Sequence, residues 1–196
     1  MRYSTGNFYN RISFLYPFIN FFLKGQRKFL IDEVNSTLPG KLLEIGIGNG
    51  SHLPLYISHQ ITGIDISENM LSKARRYKKN NIELVLMNGE NMMFPEASFD
   101  YVVMSHVLAV TKNPDQLLQQ VYNVLKPGGK LFILNHFTPD NWLRYLDQVF
   151  QPLSSVFHFK SAFYQHNIKG LQHFYLLKQT ELGRCSYFKI LIYCKL

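Results

Sequence analysis

The chain has 196 residues, of which 46% are hydrophobic and 17% are charged, so it can fold as one domain with a sizeable core and is not a disordered chain. Its net charge is +8, and the basic excess lies in the two flanks, since residues 32–150 carry more acidic than basic side chains. Two cysteines, Cys185 and Cys194, exclude a disulfide framework, and the longest apolar run, residues 14–23, is too short to span a bilayer. We therefore expect a reduced, cytoplasmic protein that is soluble or lies on the inner face of a membrane.

The middle of the chain alternates short apolar runs with helical stretches, which is typical of βαβ units and a parallel sheet. Ser67 and Asn113 have the side chains of helix N-caps, and Pro114 suits the first helical position after Asn113. Residues 172–179 and 186–195 predict a C-terminal antiparallel hairpin. The expected fold is therefore α/β, a Rossmann-like, doubly wound and mostly parallel sheet. Its parallel strands are predicted at residues 41–46, 61–66, 82–87, 101–104 and 130–135.

Two segments lie outside this plan, and both are expected to cover the carboxyl ends of the strands, where ligands bind in open α/β sheets. Residues 8–34 predict a helix that mixes aromatic, aliphatic and basic side chains, and residues 140–169 predict a helix and loop. The composition of residues 8–34 suits a helix in a membrane interface, with its cations toward anionic lipid. It suits equally well a lid that packs on the domain. We therefore predict a helical segment at 1–35, for lid or membrane contact, and a domain at 36–196.

A glycine-rich turn follows the first predicted strand, with Glu44 before the alternating residues Gly46, Gly48 and Gly50. Such a turn lets the backbone approach a ligand closely, because no Cβ intervenes and positive φ is accessible. Asp65 ends the second predicted strand, where a carboxylate can accept hydrogen bonds from both ribose hydroxyls of a nucleoside. The pair indicates a nucleoside site much more specifically than either part alone.

At this point the chain resembles the class I S-adenosylmethionine-dependent methyltransferases, over about residues 36–138. The family's glycine loop is matched by residues 44–50 and its ribose acid by Asp65. Two further motifs match at residues 94–100, entering the fourth strand, and 125–130, entering the fifth. The resemblance implies the Rossmann-like fold, S-adenosyl-L-methionine as cofactor and S-adenosyl-L-homocysteine as its product.

The resemblance also implies which residues contact the cofactor. Ile66 stands where the family packs a side chain on adenine, and Asn88 stands where many relatives have an aspartate that reaches the adenine amino group. An amide oxygen can accept the same hydrogen bond, and Glu90 nearby is an alternative acceptor. The complete set of expected cofactor-binding residues is Glu44, Gly46, Gly48, Gly50, Asp65, Ile66, Asn88, Gly89, Glu90 and Ser105. No metal site is expected.

The flanks are similar to one subfamily, the soluble bacterial phosphatidylethanolamine N-methyltransferases. This likeness implies a phospholipid or a small apolar amine as substrate, at an anionic membrane surface, and leaves the oligomeric state open. The pieces that carry it are Tyr9, Tyr16 and residues 25–27, 53–56, 135–137 and 159–163.

The same likeness suggests catalytic residues, because an ethanolamine amine must lose its proton before it can attack a methyl group. His106 and His136 follow the fourth and fifth strands and are the expected proton acceptors or orienting groups, although either ring can instead have a purely structural role. Tyr9 and Tyr16 could face the growing ammonium through cation–π contacts, or they could simply pack.

Three other functions stay open at this stage. One is a soluble small-molecule N-, O- or C-methyltransferase, for example of a quinone, whose aromatic lid encloses an apolar acceptor. Another is a non-catalytic protein that binds the cofactor and serves as an adaptor. A nucleic-acid methyltransferase is disfavoured, because residues 100–103 lack the Pro-Pro-aromatic signature of nucleobase amino-methyltransferases.

Overall fold

The structure, a computed structural model, describes residues 16–137, 167–182 and 188–196, with side chains from residue 25 onward in the first of these ranges. Most of the predicted segment 140–169 and residues 8–15 of the predicted N-terminal helix therefore lie outside the described residues. The same is true of residues 183–187, which contain Cys185.

The core of the molecule is a seven-stranded sheet with the strand order β3-β2-β1-β4-β5-β7-β6. Strands β1 to β5 are parallel to one another, and β7 is antiparallel to both β5 and β6. The order reverses between β1 and β4, and this switch point opens a crevice at the carboxyl ends of the strands. The predicted fold class is thus confirmed. The strands are β1 Lys41–Ile45, β2 Gln60–Asp65, β3 Ile82–Leu86, β4 Phe99–Ser105, β5 Leu125–His136, β6 Tyr175–Leu182 and β7 Phe188–Cys194.

The described helices are α1 Tyr16–Asn35, α2 Glu68–Ala74 and α3 Pro114–Val124, with short 3-10 helices at Leu53–Leu55, Arg75–Tyr77 and Lys169–His173. Both predicted N-caps are confirmed, because the side chain of Ser67 accepts a hydrogen bond from the backbone N–H of Met70 at 3.3 Å and that of Asn113 from Gln116 at 3.1 Å. None of the described helices is long and apolar enough to cross a membrane.

The two faces of the sheet are covered by different helices, since side chains alternate along each strand. On one face α3 packs over Leu43, Val102 and Leu131. On the other face lie Leu42, Val103 and Phe132, together with the buried side chains of α1, which are Leu30, Ile31 and Val34.

Helix α1 therefore helps to build the folded core, because its last turns bury apolar side chains against the sheet. It shares this face with the segment between β1 and β2, since Ile47, Leu53 and Tyr56 are buried in the same cluster. A lid or membrane role for residues 1–35, and the predicted division at residue 35, stay predictions.

Strand β5 is longer than predicted, because the sequence Pro127-Gly128-Gly129 suggested a turn before it. In the structure this segment continues the strand, with Gly128 in the left-handed region at φ +73°. Backbone hydrogen bonds join Gly128 N–H to the Lys195 carbonyl at 2.8 Å and Lys195 N–H to the Gly129 carbonyl at 3.0 Å. The C-terminal strand thus supplies a partner that local sequence patterns do not reveal.

Candidate functional site

The turn after β1 is held in an unusual backbone conformation by its glycines. Gly46, Gly48 and Gly50 have φ values of +72°, +57° and +67°, a region that residues with a Cβ rarely adopt. A Cβ on Gly46 would lie 2.6 Å from the Val107 side chain, and one on Gly50 would lie 2.7 Å from the Cβ of Ala74. A Cβ on Gly48 would meet no atom within 4 Å, so the turn packs tightly at its ends and opens to the crevice at Gly48.

Asp65, the last residue of β2, is tied directly to this turn. Its Oδ2 accepts a hydrogen bond from Gly48 N–H at 2.8 Å, and its Oδ1 accepts one from Ser67 N–H at 2.9 Å. Burial raises the pKa of Asp65, and the N–H groups of Ser67 and Gly48 oppose that rise. The carboxylate is therefore fixed at the crevice, and each of its oxygens keeps acceptor capacity for a further hydrogen bond.

Glu44 lies in β1 behind the turn and is almost fully buried. His52 Nε2 lies 2.6 Å from Glu44 Oε1, and the Tyr56 hydroxyl donates to Glu44 Oε2 at 3.0 Å. Burial raises the pKa of Tyr56, and the Glu44 charge raises it further. Since both carboxylate oxygens have side-chain partners, Glu44 stabilises the segment after the turn, and its predicted contact with a cofactor stays a prediction.

Sequence reasoning missed this role of Tyr56. The sequence could have indicated it, because a carboxylate inside an apolar strand needs buried hydrogen-bond donors. His52 and Tyr56 are potential donors that lie a short distance after Glu44 in the chain.

The residues after β3 and β2 form one side of the crevice. Asn88 is exposed, and its Oδ1 accepts a hydrogen bond from Glu90 N–H at 3.0 Å. Gly89 is buried, and a Cβ there would lie 2.8 Å from the Ile45 side chain. Ile66 is 62% exposed, unusually high for a large apolar side chain directly after a buried strand. An amide and an open apolar surface thus follow neighbouring strands, and a site that binds a flat heteroaromatic ring requires both.

Glu90 is engaged with the start of α3. Its Oε1 accepts hydrogen bonds from the Thr111 hydroxyl, from Lys112 N–H at 2.8 Å and from Asn113 N–H at 3.2 Å. Burial alone would raise the pKa of Glu90, but these donors hold it below its ordinary value. The carboxylate therefore holds residues 111–113 in place, and its predicted role as an adenine acceptor stays a prediction.

At the end of β4, Ser105 is buried and its hydroxyl accepts a hydrogen bond from Arg27 Nε of α1 at 3.3 Å. Arg27 was not among the predicted site residues. The contact joins residues that are 78 positions apart in the chain, so no local pattern indicates it.

His106 follows Ser105 in the left-handed region, at φ +61°. Its backbone N–H donates to the Leu134 carbonyl at 2.7 Å, and its ring contacts Phe188 edge to face with centroids 5.8 Å apart. Ring Nε2 is buried and has no hydrogen-bond partner among the described residues. Burial, together with the charges of Arg27 and His136, lowers the pKa of His106 to about 3, so the ring is neutral at physiological pH.

His136 ends β5 and is buried close by, with its ring centroid 6.5 Å from that of Phe188. The structure thus brings both predicted histidines to one aromatic side chain of β7. Tyr9 and the side chain of Tyr16 lie outside the described residues. Within the described parts of the chain, no three His, Cys, Asp or Glu side chains are placed to hold a metal ion.

Comparison with known proteins agrees with these features. Residues 43–133 match the family model described as a methyltransferase domain. The chain is 37% identical over 108 residues to a phosphatidylethanolamine N-methyltransferase of Cereibacter sphaeroides, an alignment that covers 52% of this chain and 53% of the relative. It is 36% identical over 103 residues to a demethylmenaquinone methyltransferase of Listeria welshimeri, covering 50% and 44% of the two chains.

Among solved structures, an S-adenosylmethionine-dependent methyltransferase of Thermotoga maritima superposes with a TM-score of 0.72 at 20% identity, covering 97% of this chain and 99% of that one. The likeness confirms the fold, and the family match confirms the resemblance drawn from the motifs. The chain spans about half the length of the curated relatives it matches.

Proposed function

We propose that the chain, whose residues 43–133 match a methyltransferase domain, transfers a methyl group from S-adenosylmethionine to the amine of an ethanolamine phospholipid at a membrane surface. The observation that carries the cofactor assignment is the Asp65 carboxylate, held at 2.8 Å by the N–H of Gly48, which is the one turn glycine whose Cβ position is open. A nucleoside cofactor needs these two features side by side, because the carboxylate binds its ribose hydroxyls and the open turn lets the backbone approach it closely.

The remaining residues of the crevice fit the same cofactor. When bound, S-adenosylmethionine supplies an electrophilic methyl group on a sulfonium. Asp65 would accept hydrogen bonds from the ribose hydroxyls, Ile66 would pack on adenine and Asn88 would meet its edge. The methyl group would then lie toward the ends of β1 and β4, because the nucleoside occupies the ends of β2 and β3.

His106 and His136 are the side chains best placed to act on an acceptor there. A histidine whose pKa is about 3 cannot hold a proton at neutral pH, so His106 orients the acceptor amine as a neutral hydrogen-bonding ring. The amine must lose its proton to solvent before it attacks, and burial of the amine among Phe188 and the two histidine rings favours its neutral form. Tyr9 and Tyr16 are proposed to stabilise the ammonium that forms.

Two observations support a phospholipid headgroup as the acceptor. One is the 37% identity to the phosphatidylethanolamine enzyme. The other is the charge distribution, since residues 1–31 contain five basic and no acidic side chains, which suits an anionic surface. The 36% identity to the demethylmenaquinone enzyme favours a second candidate, an apolar quinone methylated at carbon.

One experiment decides between these acceptors. The purified protein is given methyl-labelled S-adenosylmethionine and anionic vesicles that contain both phosphatidylethanolamine and demethylmenaquinone, and the lipids are analysed by mass spectrometry. Label in mono-, di- or trimethylated headgroups supports the proposal, whereas label only in the quinone supports the second candidate. If S-adenosylhomocysteine binds but neither lipid is labelled, the lipid assignment is wrong. If the cofactor does not bind, the enzymatic proposal itself fails.

A further inference from the structure

The side-chain oxygen of Gln26 is a buried acceptor that has no hydrogen-bond partner among the described residues. Gln26 is a half-buried residue of α1, directly before Arg27, whose guanidinium bonds to Ser105 at the end of β4. Ring Nε2 of His106, the residue after Ser105, is buried in the same state. A buried acceptor without a donor destabilises the fold, so two of them at one end of the sheet indicate donors that come from a ligand.

Helix α1 runs antiparallel to the parallel strands, which places Gln26 at their carboxyl ends. Arg27 meets Ser105 at the end of β4. About two turns later, the Val34 carbonyl lies 3.3 Å from His59 Nε2, just before β2 begins. Because the side chains of a helix tilt toward its N-terminus, the Gln26 side chain extends from α1 toward the crevice end of the sheet.

The position of Gln26 around the helix brings it to β7. It lies on the same side of α1 as Glu33, two turns later, and Glu33 forms an ion pair with Lys178 of β6 at 2.7 Å. Lys178 pairs with Ile192 of β7. Gln26 is about 10 Å from Glu33 along the helix, and Phe188 is about 13 Å from Ile192 along β7 toward the same end. Gln26 is therefore level with the aromatic side chain that contacts both predicted histidine rings.

A neutral primary amine carries the donors that these two acceptors lack. It has two N–H groups and one lone pair, and the lone pair must stay free to attack a methyl group. The side-chain oxygen of Gln26 and the neutral ring of His106 can each accept a hydrogen bond. Both N–H groups can then be held while the lone pair faces the cofactor.

We infer that Gln26 Oε1 and His106 Nε2 bind the two N–H groups of the acceptor amine, and that this pair makes the chain selective for an unmethylated amine. The inference rests on the proposed function, since it requires an amine acceptor in the crevice. It adds Gln26 as a residue that contacts the substrate, and it places the proton of the neutral His106 ring on Nδ1.

The same contacts become stronger during methyl transfer. The amine nitrogen forms a bond to the methyl carbon while the carbon–sulfur bond breaks and its electron pair goes to sulfur. The nitrogen keeps both N–H groups and gains a positive charge, and the ammonium that results later releases one proton to solvent. Charged donors form stronger hydrogen bonds than neutral ones, so Gln26 and His106 stabilise the transition state more than the bound substrate.

The number of N–H groups falls with each methyl group that is added. The neutral amine of phosphatidylethanolamine has two, that of the monomethyl lipid has one and that of the dimethyl lipid has none. With the dimethyl lipid both buried acceptors would stay unpaired and shielded from water, which is unfavourable. The rate of methyl transfer should therefore fall in that order.

The test measures initial rates of methyl transfer from labelled S-adenosylmethionine to phosphatidylglycerol vesicles that contain one of these three lipids. The unaltered chain is compared with Gln26→Met, Gln26→Glu and Gln119→Met. Gln26→Met keeps the side-chain length and removes the acceptor oxygen, whereas Gln26→Glu keeps acceptor oxygens and removes the amide donor. Gln119→Met is the matched control, because Gln119 is exposed on α3 and bonds to Asn123.

We expect the unaltered chain to methylate phosphatidylethanolamine about tenfold faster than the dimethyl lipid, or more. Gln26→Met should lower kcat/KM for phosphatidylethanolamine about tenfold, the usual effect of losing a hydrogen bond to a charged group, and change the dimethyl rate less than about twofold. Gln26→Glu should keep more of the preference than Gln26→Met, and Gln119→Met should keep all of it.

Two measurements separate this role from a structural one. Calorimetric titration should give an S-adenosylhomocysteine affinity within about twofold of the unaltered chain for every variant, because Gln26 is assigned to the acceptor and not to the cofactor. The Tm of Gln26→Met should not fall, since an apolar side chain replaces a buried acceptor that has no donor in the free protein.

Other outcomes overturn the inference. Equal losses on all three lipids would give Gln26 a structural role, and unchanged rates would show that Gln26 does not touch the amine. A larger loss in Gln26→Glu than in Gln26→Met would show that the amide acts as a donor, for example to the lipid phosphate. If the unaltered chain labels none of the lipids, the proposed function itself fails, and that result differs from a headgroup preference that is insensitive to Gln26.

Discussion

The backbone N–H of Gly48 donates a hydrogen bond to the Asp65 carboxylate at 2.8 Å, so the acid at the end of β2 holds the turn that follows β1. The two parts of the candidate cofactor site are therefore one structural unit, because a change at either residue alters the other.

Replacing Asp65 by Asn should weaken S-adenosylhomocysteine binding at least tenfold, because the amide cannot accept from both ribose hydroxyls while it also accepts from Gly48 and Ser67. Isothermal titration measures this. Asp100→Asn is the matched control, since Asp100 accepts from Lys126 and Lys41 at the start of β4, away from the crevice. That control should bind normally, and equal losses in the two variants would contradict the role of Asp65.

Adding a methyl group at two glycines of the turn should have different consequences. Gly48→Ala should cost about 1–2 kcal/mol of stability through its positive φ, and it should weaken S-adenosylhomocysteine binding because the methyl group enters the open crevice. Gly50→Ala should cost more, roughly 2–5 kcal/mol, since its Cβ would also lie 2.7 Å from Ala74. Urea unfolding and ligand titration measure the two effects. Normal binding by Gly48→Ala would show that no ligand approaches there.

Tyr56→Phe should lower the free energy of unfolding by about 1–3 kcal/mol, because it leaves the buried Glu44 Oε2 without its donor. Tyr101→Phe is the matched control, since its hydroxyl donates to the exposed Leu38 carbonyl, which water can reach once the hydroxyl is gone. Chemical denaturation should show a smaller loss for the control. Equal losses would mean that the contact with Glu44 contributes no more than an exposed one.

His106→Asn should make the protein less sensitive to acid. The pKa of His106 is lowered from 6.5 to about 3 in the folded state, so below pH 6.5 the unfolded chain takes up a proton that the folded chain refuses. Stability is therefore present above pH 6.5 and is lost as the pH falls toward 3, by at most about 1.4 kcal/mol per pH unit. Asn does not titrate and tolerates the left-handed backbone at this position.

Urea unfolding of the unaltered chain and of His106→Asn at pH 7.5 and pH 5 measures this difference. The unaltered chain should lose about 1–2 kcal/mol more than the variant over that interval. An equal loss in both proteins would show that the His106 ring is not held neutral by its surroundings.

Local patterns were sufficient for the strand order along the chain, for the caps at Ser67 and Asn113, and for the glycine turn with Asp65. Each of these depends on a few neighbouring residues, so a sequence read in short windows contains the required information. The strand ends were also sufficient to predict that His106 and His136 lie at the same edge, because parallel strands present their carboxyl ends together.

Only the tertiary structure decided which side chains meet across the sheet. The Arg27 contact with Ser105 requires α1 to pack on one face of the sheet, and Phe188 reaches both histidines only because β7 inserts next to β5. The full length of β5 likewise depends on hydrogen bonds from Lys195. These contacts join residues far apart in the chain, and their free energy exists only after the strands have paired and the apolar faces are buried.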